Sequence, residues 1–94
     1  MTDLCNEIEK FGKGIGNASR YRIIEALFAC PKTVNELVAI VHLSQPAVSQ
    51  HLKTLKASSI VTDERRGQEV LYSLNSKHML SLLTSLIGEV KKKK

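Results

Sequence analysis

Residues 33–57, TVNELVAIVHLSQPAVSQHLKTLKA, hold two short amphipathic segments that meet at a tight break. Thr33 with Glu36 spells a capping box, in which each side chain satisfies a free backbone N–H in the opening turn of a helix. That helix runs from about Val34 to Val41, with Leu37, Val38 and Val41 as its apolar face. His42 and Leu43 make the break. Ser44 suits the N-cap of the next helix, Pro46 is tolerated in its first turn, and the helix reaches about Ala57. In this second helix Val48, Leu52 and Leu55 fall at i, i+4 and i+7 as one narrow apolar stripe, so Gln45, Ser49, Gln50, Lys53 and Lys56 project elsewhere. Those outward groups are amides, a hydroxyl and cations, which hydrogen-bond base edges and phosphate oxygens. The pattern is that of a helix-turn-helix, although a helical hairpin in an ordinary core has the same spacing.

Beyond Ala57 the period changes from helical to alternating. Residues 60–65, IVTDER, and 69–74, EVLYSL, read as two strands of a β-hairpin, with Val70, Tyr72 and Leu74 on one face and Gly67 supplying the positive φ of a tight connection. Arg65, Arg66 and Gln68 sit at its tip. A two-stranded arm of this kind holds guanidinium groups clear of the core, where they reach a phosphate backbone or a narrow minor groove. Hairpin tips are also charged for solubility alone, so it is the helix-turn-helix just upstream that favours a DNA-binding wing over 60–74.

A chain of 94 residues argues for one domain spanning 1–94, and a domain this small is marginal unless something else buries its surface. Two terminal helices offer that surface. Over 3–15, Leu4, Ile8, Phe11 and Ile15 form one amphipathic stripe; over 76–90, Met79, Leu82, Leu83, Leu86, Ile87 and Val90 form another, widened by Leu80. Both can bury against their copies in a second subunit, or cover the winged core within one. Between them and the helix-turn-helix lies a helix over 19–29, capped by Asn17 or Ser19 and stopped by Pro31, with Ile23, Ile24, Leu27 and Phe28 as its buried face. Gly12, Gly14 and Gly16 mark where the first helix frays into the turn before it. With no strand ahead of them they do not make a nucleotide-binding loop.

The formal net charge is +5, but four of the positive charges are the Lys91, Lys92, Lys93 and Lys94 tail. Across 18–74 seven Lys or Arg face five acids, so placement rather than bulk charge carries the nucleic-acid reading. The tail favours a helix C-terminus through its dipole, solubilises the chain, or adds non-specific attraction to DNA. No apolar run is long enough to cross a bilayer and no signal peptide is evident, which points to a cytoplasmic protein with no membrane partner. In that compartment Cys5 and Cys30 are reduced thiols and not a disulfide framework. No nucleophile is paired with a base and orienter, and His42, His51 and His78 are scattered, so an enzyme is not expected.

The order helix, helix, helix-turn-helix, hairpin, helix, with NASRYRIIEAL, then TVNELVAIVHLSQPAVSQHLKTLKASSIV, then RRGQEVLYSL, resembles the ArsR/SmtB family of bacterial winged-helix repressors over nearly the whole chain. The motif L-S-Q-x-x-V-S-x-H-L-x-x-L over 43–55, joined to R-x-G-x-x-x-x-Y-x-L over 65–74, is specific as a pair. The resemblance implies a mainly α fold with a β-hairpin wing, a homodimer paired through its first and last helices, and binding to a palindromic operator in double-stranded DNA with release by an inducer. On the matching positions it implies Gln45, Ser49 and Gln50 as major-groove readers, Ser44 and Lys53 as phosphate contacts, and Arg65, Arg66 and Gln68 as the wing's contacts. His51 matches the motif histidine, with helix packing or a phosphate-facing role as alternatives to base readout.

The sensor departs from the family's patterns. A Cys-x-Cys-Asp-Leu metal segment would fall on Thr33, Asn35, Glu36 and Leu37, so both thiolates are missing; on the last helix only His78 remains, with Asn75, Ser81 and Glu89 as poor substitutes. Zinc needs several nitrogen or sulfur ligands, so neither a metal nor another cofactor is expected. Cys5 and Cys30 are left as a candidate thiol sensor, linked across a dimer by a disulfide or persulfide, or as a soft-metal pair. Family members that sense reactive sulfur typically place their cysteines on the second and last helices, and a helical cysteine also serves as a small buried hydrophobe. The identity of the inducer is not legible. The rival reading is a winged-helix protein-interaction module that uses the same surface for a protein partner.

Overall fold

The computed structural model describes residues 4–92. In chain order the elements are α1 (Leu4–Ile15), α2 (Ala18–Leu27), α3 (Val34–Val41), α4 (Gln45–Ala57), β1 (Val61–Arg66), β2 (Glu69–Leu74) and α5 (Ser76–Lys92). This is a winged helix-turn-helix. Asp3, expected to open the first helix, and Lys93 and Lys94 of the basic tail lie outside the described residues.

Local chemistry starts each element of the helix-turn-helix as the residue types require. The Thr33 backbone N–H donates to Glu36 Oε1 at 2.8 Å, while the Glu36 N–H donates to Thr33 Oγ1 at 3.2 Å, which completes the capping box of α3. The helix ends at His42, which takes the left-handed conformation at φ 58° without being glycine. Ser44 then caps α4 by accepting from Ala47 N at 3.3 Å, with Pro46 in the first turn. Leu37 and Val41 of α3 pack with Val48, Leu52 and Leu55 of α4, Ile23, Ile24 and Leu27 of α2, and Ile60 and Val61 at the root of the hairpin. That cluster is the core.

The hairpin is antiparallel with Val61 opposite Leu74 and Arg66 opposite Glu69. Its connection is the pair Gly67-Gln68, with Gly67 at φ 64° in the first central position. Arg66, read as part of the loop, is the last paired residue of β1. A third short partner was not legible: Lys32 exchanges both backbone hydrogen bonds with Tyr72, at 3.0 and 2.8 Å, and ties the segment before α3 to the wing.

Several boundaries and burials differ from expectation. The first helix does not fray at its glycines; it runs through Gly12 and Gly14 to Ile15, because Gly14 is buried where only a backbone fits against the Ile60 and Ser58 side chains. Of the two cap candidates for α2, Asn17 is the one used, accepting from Arg20 N at 3.1 Å. The helix stops at Leu27 rather than 29, and Phe28, expected in the core, is 60% exposed because it falls past the last helical residue, on the surface. At the other end α5 continues to Lys92, two residues beyond the expected end. Of its apolar residues only Leu82 is buried; Leu80, Leu83, Leu86, Ile87 and Val90 all face outward. The two terminal helices meet each other along the side where His78 Nε2 of α5 lies 3.6 Å from Glu7 Oε1 of α1.

Candidate nucleic-acid interface

On α4 the division of faces is complete. Val48, Leu52 and Leu55 are essentially without solvent contact, whereas Gln45, Ser49, Gln50 and Lys53 are exposed on the opposite side. This follows from helical spacing: burying a stripe one residue wide commits the other side to solvent or to a partner. His51 is half-buried at the edge of the stripe. The Ser44 hydroxyl spends its acceptor on the cap, which leaves its O–H free to donate to a phosphate oxygen.

The wing presents Arg65, Arg66 and Gln68 to solvent. Arg66 Nη2 lies 3.3 Å from Glu64 Oε1, with both side chains about two-thirds exposed, so the pair is screened and readily exchanged. Lys56 is exposed among the outward groups of α4, as expected, and its Nζ also donates to Asp63 Oδ2 at 2.9 Å, which links the end of α4 to β1. The hydrogen bond to Asp63 and the charge of that carboxylate raise the Lys56 pKa.

Four of the singled-out residues line two depressions, whereas Ser44, Ser49, Arg65 and Arg66 line neither. Gln45 and Gln68 line one open cleft between α3, the start of α4 and the hairpin, together with Thr33, Asn35 and Glu36. Gln50 and Lys53 line another between α4 and α1, where they meet Lys10 and Lys13. Sequence reading missed those two lysines, because nothing along the chain shows that α1 packs beside α4. It also missed Arg20, whose Nε and Nη2 donate to the Gly14 and Lys13 carbonyls at 2.7 and 2.9 Å and close the C-terminus of α1.

At the positions where the family would carry a sensor, the side chains have other work. Thr33 and Glu36 are spent on the capping box, and His78 faces Glu7 while its backbone N–H donates to Asn75 Oδ1 at 3.3 Å. Among the described residues no three His, Cys, Asp or Glu side chains gather as a metal site. Cys5 lies on the exposed side of the first turn of α1. Cys30 lies in the exposed loop between α2 and α3, with Lys32 Nζ 3.1 Å from its Sγ, and no disulfide joins the two. Among the described residues no helix is long and apolar enough to cross a membrane.

Comparison with known proteins adds to this geometry. Residues 17–63 match the family described as "Bacterial regulatory protein, arsR family". The chain is 44% identical over 69 residues to the HTH-type transcriptional repressor SmtB of Mycobacterium tuberculosis; the match covers 73% of this chain and 51% of that protein, so the chain spans about half the length of that relative. HlyU from Vibrio cholerae superposes with a TM-score of 0.74 at 31% identity, covering 92% of this chain and 97% of the HlyU chain. A homodimeric winged helix-turn-helix DNA-binding domain from Mycobacterium bovis shares the fold, with a TM-score of 0.76 at 20% identity over 95% of this chain and 88% of its own.

Proposed function

Because the chain belongs to the arsR family of bacterial regulatory proteins, we propose that it is a homodimeric transcriptional repressor that reads a palindromic operator in duplex DNA. That family is one of transcriptional regulators and not of enzymes. The observation that carries the proposal is the two-sided α4, its apolar stripe sealed in the core and Gln45, Ser49 and Gln50 standing exposed. In this role those three side chains address base edges in the major groove, Ser44 and Lys53 address phosphates, and Arg65, Arg66 and Gln68 of the wing hold the flanking backbone. Two subunits present two such helices to the two half-sites, with α1 and α5 as the pairing helices. The Mycobacterium bovis domain of the same fold is homodimeric, and the apolar residues that α5 leaves in solvent supply the means here.

Release is assigned to the thiols: a peroxide, itself reduced to water, oxidises Cys5 of one subunit and Cys30 of the other to a disulfide, or a polysulfide hands a sulfur atom to one thiol and the second displaces it as hydrogen sulfide to form the same bond, and the link alters the pairing of the helices. Both cysteines are exposed and so open to a small oxidant, and Lys32 Nζ lies 3.1 Å from Cys30 Sγ. A gel-shift titration with a panel of duplexes tests the DNA role. Gln50→Ala should relax sequence preference, whereas Arg66→Ala should weaken all duplexes about equally and flatten the salt dependence by about one unit per engaged subunit. Unchanged affinity and salt dependence in Arg66→Ala would remove the wing from the interface. Normal derepression in a variant with both Cys5 and Cys30 changed to Ser would remove the thiol sensor.

A further inference from the structure

We infer that Lys10 and Lys13 of α1, together with Lys53 of α4, form a second binding track for the DNA sugar-phosphate backbone, beside the recognition helix. The inference rests on the DNA-binding reading above. The three lysines line one depression between α1 and α4, with Gln50 on the same rim and no carboxylate among the lining residues. Gln50 and Lys53 are one helical turn apart, so base edges met by Gln50 bring the bordering strand toward the Lys53 turn. A major groove is only about 12 Å wide, and a lysine beside a helix seated in it reaches the strand at its edge.

The charges in this track are available. Lys53 makes no ion pair among the described residues. Lys10 and Lys13 pair with Glu7 and Glu9 of their own helix at 3.9 and 3.3 Å, but the lysines are 63% and 76% exposed, and such pairs yield readily to a phosphate that brings more charge. The backbone that carries them is held in place. Gly14 lets α1 approach the Ile60 and Ser58 side chains closely, and Arg20 clamps the Lys13 and Gly14 carbonyls at 2.9 and 2.7 Å. A helix locked beside α4 presents its lysines at a constant offset from the recognition face, which is what a register contact to a backbone requires. A duplex backbone fits this row of cations spread over two helices better than a compact anion does.

The test is a fluorescence-anisotropy titration of the full chain against a labelled mixed-sequence duplex over a series of salt concentrations. Lys10→Gln with Lys13→Gln should weaken binding and reduce the slope of log affinity against log salt by about 0.9 for each lysine lost per engaged subunit. Replacement of both by Arg should preserve the slope. Glu9→Gln, which removes the competitor of Lys13, should tighten binding. If the double Gln variant binds with wild-type affinity and slope while Arg66→Ala loses both, the track is refuted and the repressor reading stands. Weaker binding with an unaltered slope also refutes it, since the loss is then not of phosphate contacts. Should duplex binding be unaffected while binding to polyglutamate is lost, the track belongs to an acidic polypeptide and the proposal fails. A wild-type chain that ignores every duplex overturns the repressor reading and this inference together.

Discussion

Glu36 illustrates how much a single exposed side chain does at a helix end. The hydrogen bond it accepts from the Thr33 backbone N–H holds its carboxyl below the usual carboxylate range, partial desolvation opposes this, and the Thr33 hydroxyl and the Lys32 charge add to the lowering. A carboxyl whose pKa is depressed in the folded state contributes stability that is present above the unfolded pKa and is lost as pH falls through the folded value. The stability gap between wild type and Glu36→Gln, measured by urea denaturation, should therefore be largest near neutral pH and narrow in acid. A gap independent of pH would show that the charge is not what matters at this cap. Thr33→Ala removes the reciprocal acceptor and should cost about 1 kcal/mol. These contacts were legible because both partners lie three residues apart. The Lys56–Asp63 ion pair was not, because its geometry depends on how the chain turns between α4 and β1.

Helix α1 carries two glycines whose roles are opposite, and only packing separates them. A methyl group added at Gly12 meets nothing within 4 Å, while one at Gly14 would overlap the Ile60 side chain and press on Ser58 at 3.3 Å. Ile60 is fully buried, so its side chain would have to shift within the core. Gly12→Ala should thus stabilise the protein by about 0.5–1 kcal/mol through helix propensity. Gly14→Ala should destabilise it by about 1–2 kcal/mol net, overpacking outweighing the same propensity gain. Thermal melts of the two variants should move in opposite directions; equal shifts would mean that α1 does not seat on Ile60 as described. From the sequence alone the three glycines looked like a fraying end, since spacing reveals low propensity but not the neighbour that makes a side chain intolerable. The strands were legible in outline, and the Lys32–Tyr72 bridge was missed because a single bridged residue leaves no alternating pattern.

The chain is more extended than a compact domain of its size. Its radius of gyration is 14.5 Å, against about 12 Å for a compact chain of this length, and its longest extent is 48 Å. The excess goes with α5, 17 residues long with only Leu82 buried, and with Leu80, Leu83, Ile87 and Val90 recurring along its exposed side. An apolar stripe of that length facing water is the usual mark of a protein contact. Replacing Leu83 and Ile87 together by Glu should convert a dimer to a monomer in sedimentation velocity, with affinity for a two-half-site duplex lost and the circular dichroism of the winged core retained. A variant that stays dimeric would move the pairing away from α5.

Helix periods, the capping box, the turn glycine of the hairpin and the order of elements are properties of near neighbours along the chain, so the residues alone determined the winged helix-turn-helix and the outward face of α4. Which side chains stand together across elements was decided only in three dimensions: Phe28 out of the core, Lys56 bound to Asp63, Arg20 closing α1, and Lys10 and Lys13 beside Lys53. The reason is physical. Periodicity records which face of an element is apolar, while the partner of that face is set by volume, close approach and charge between segments distant in the chain.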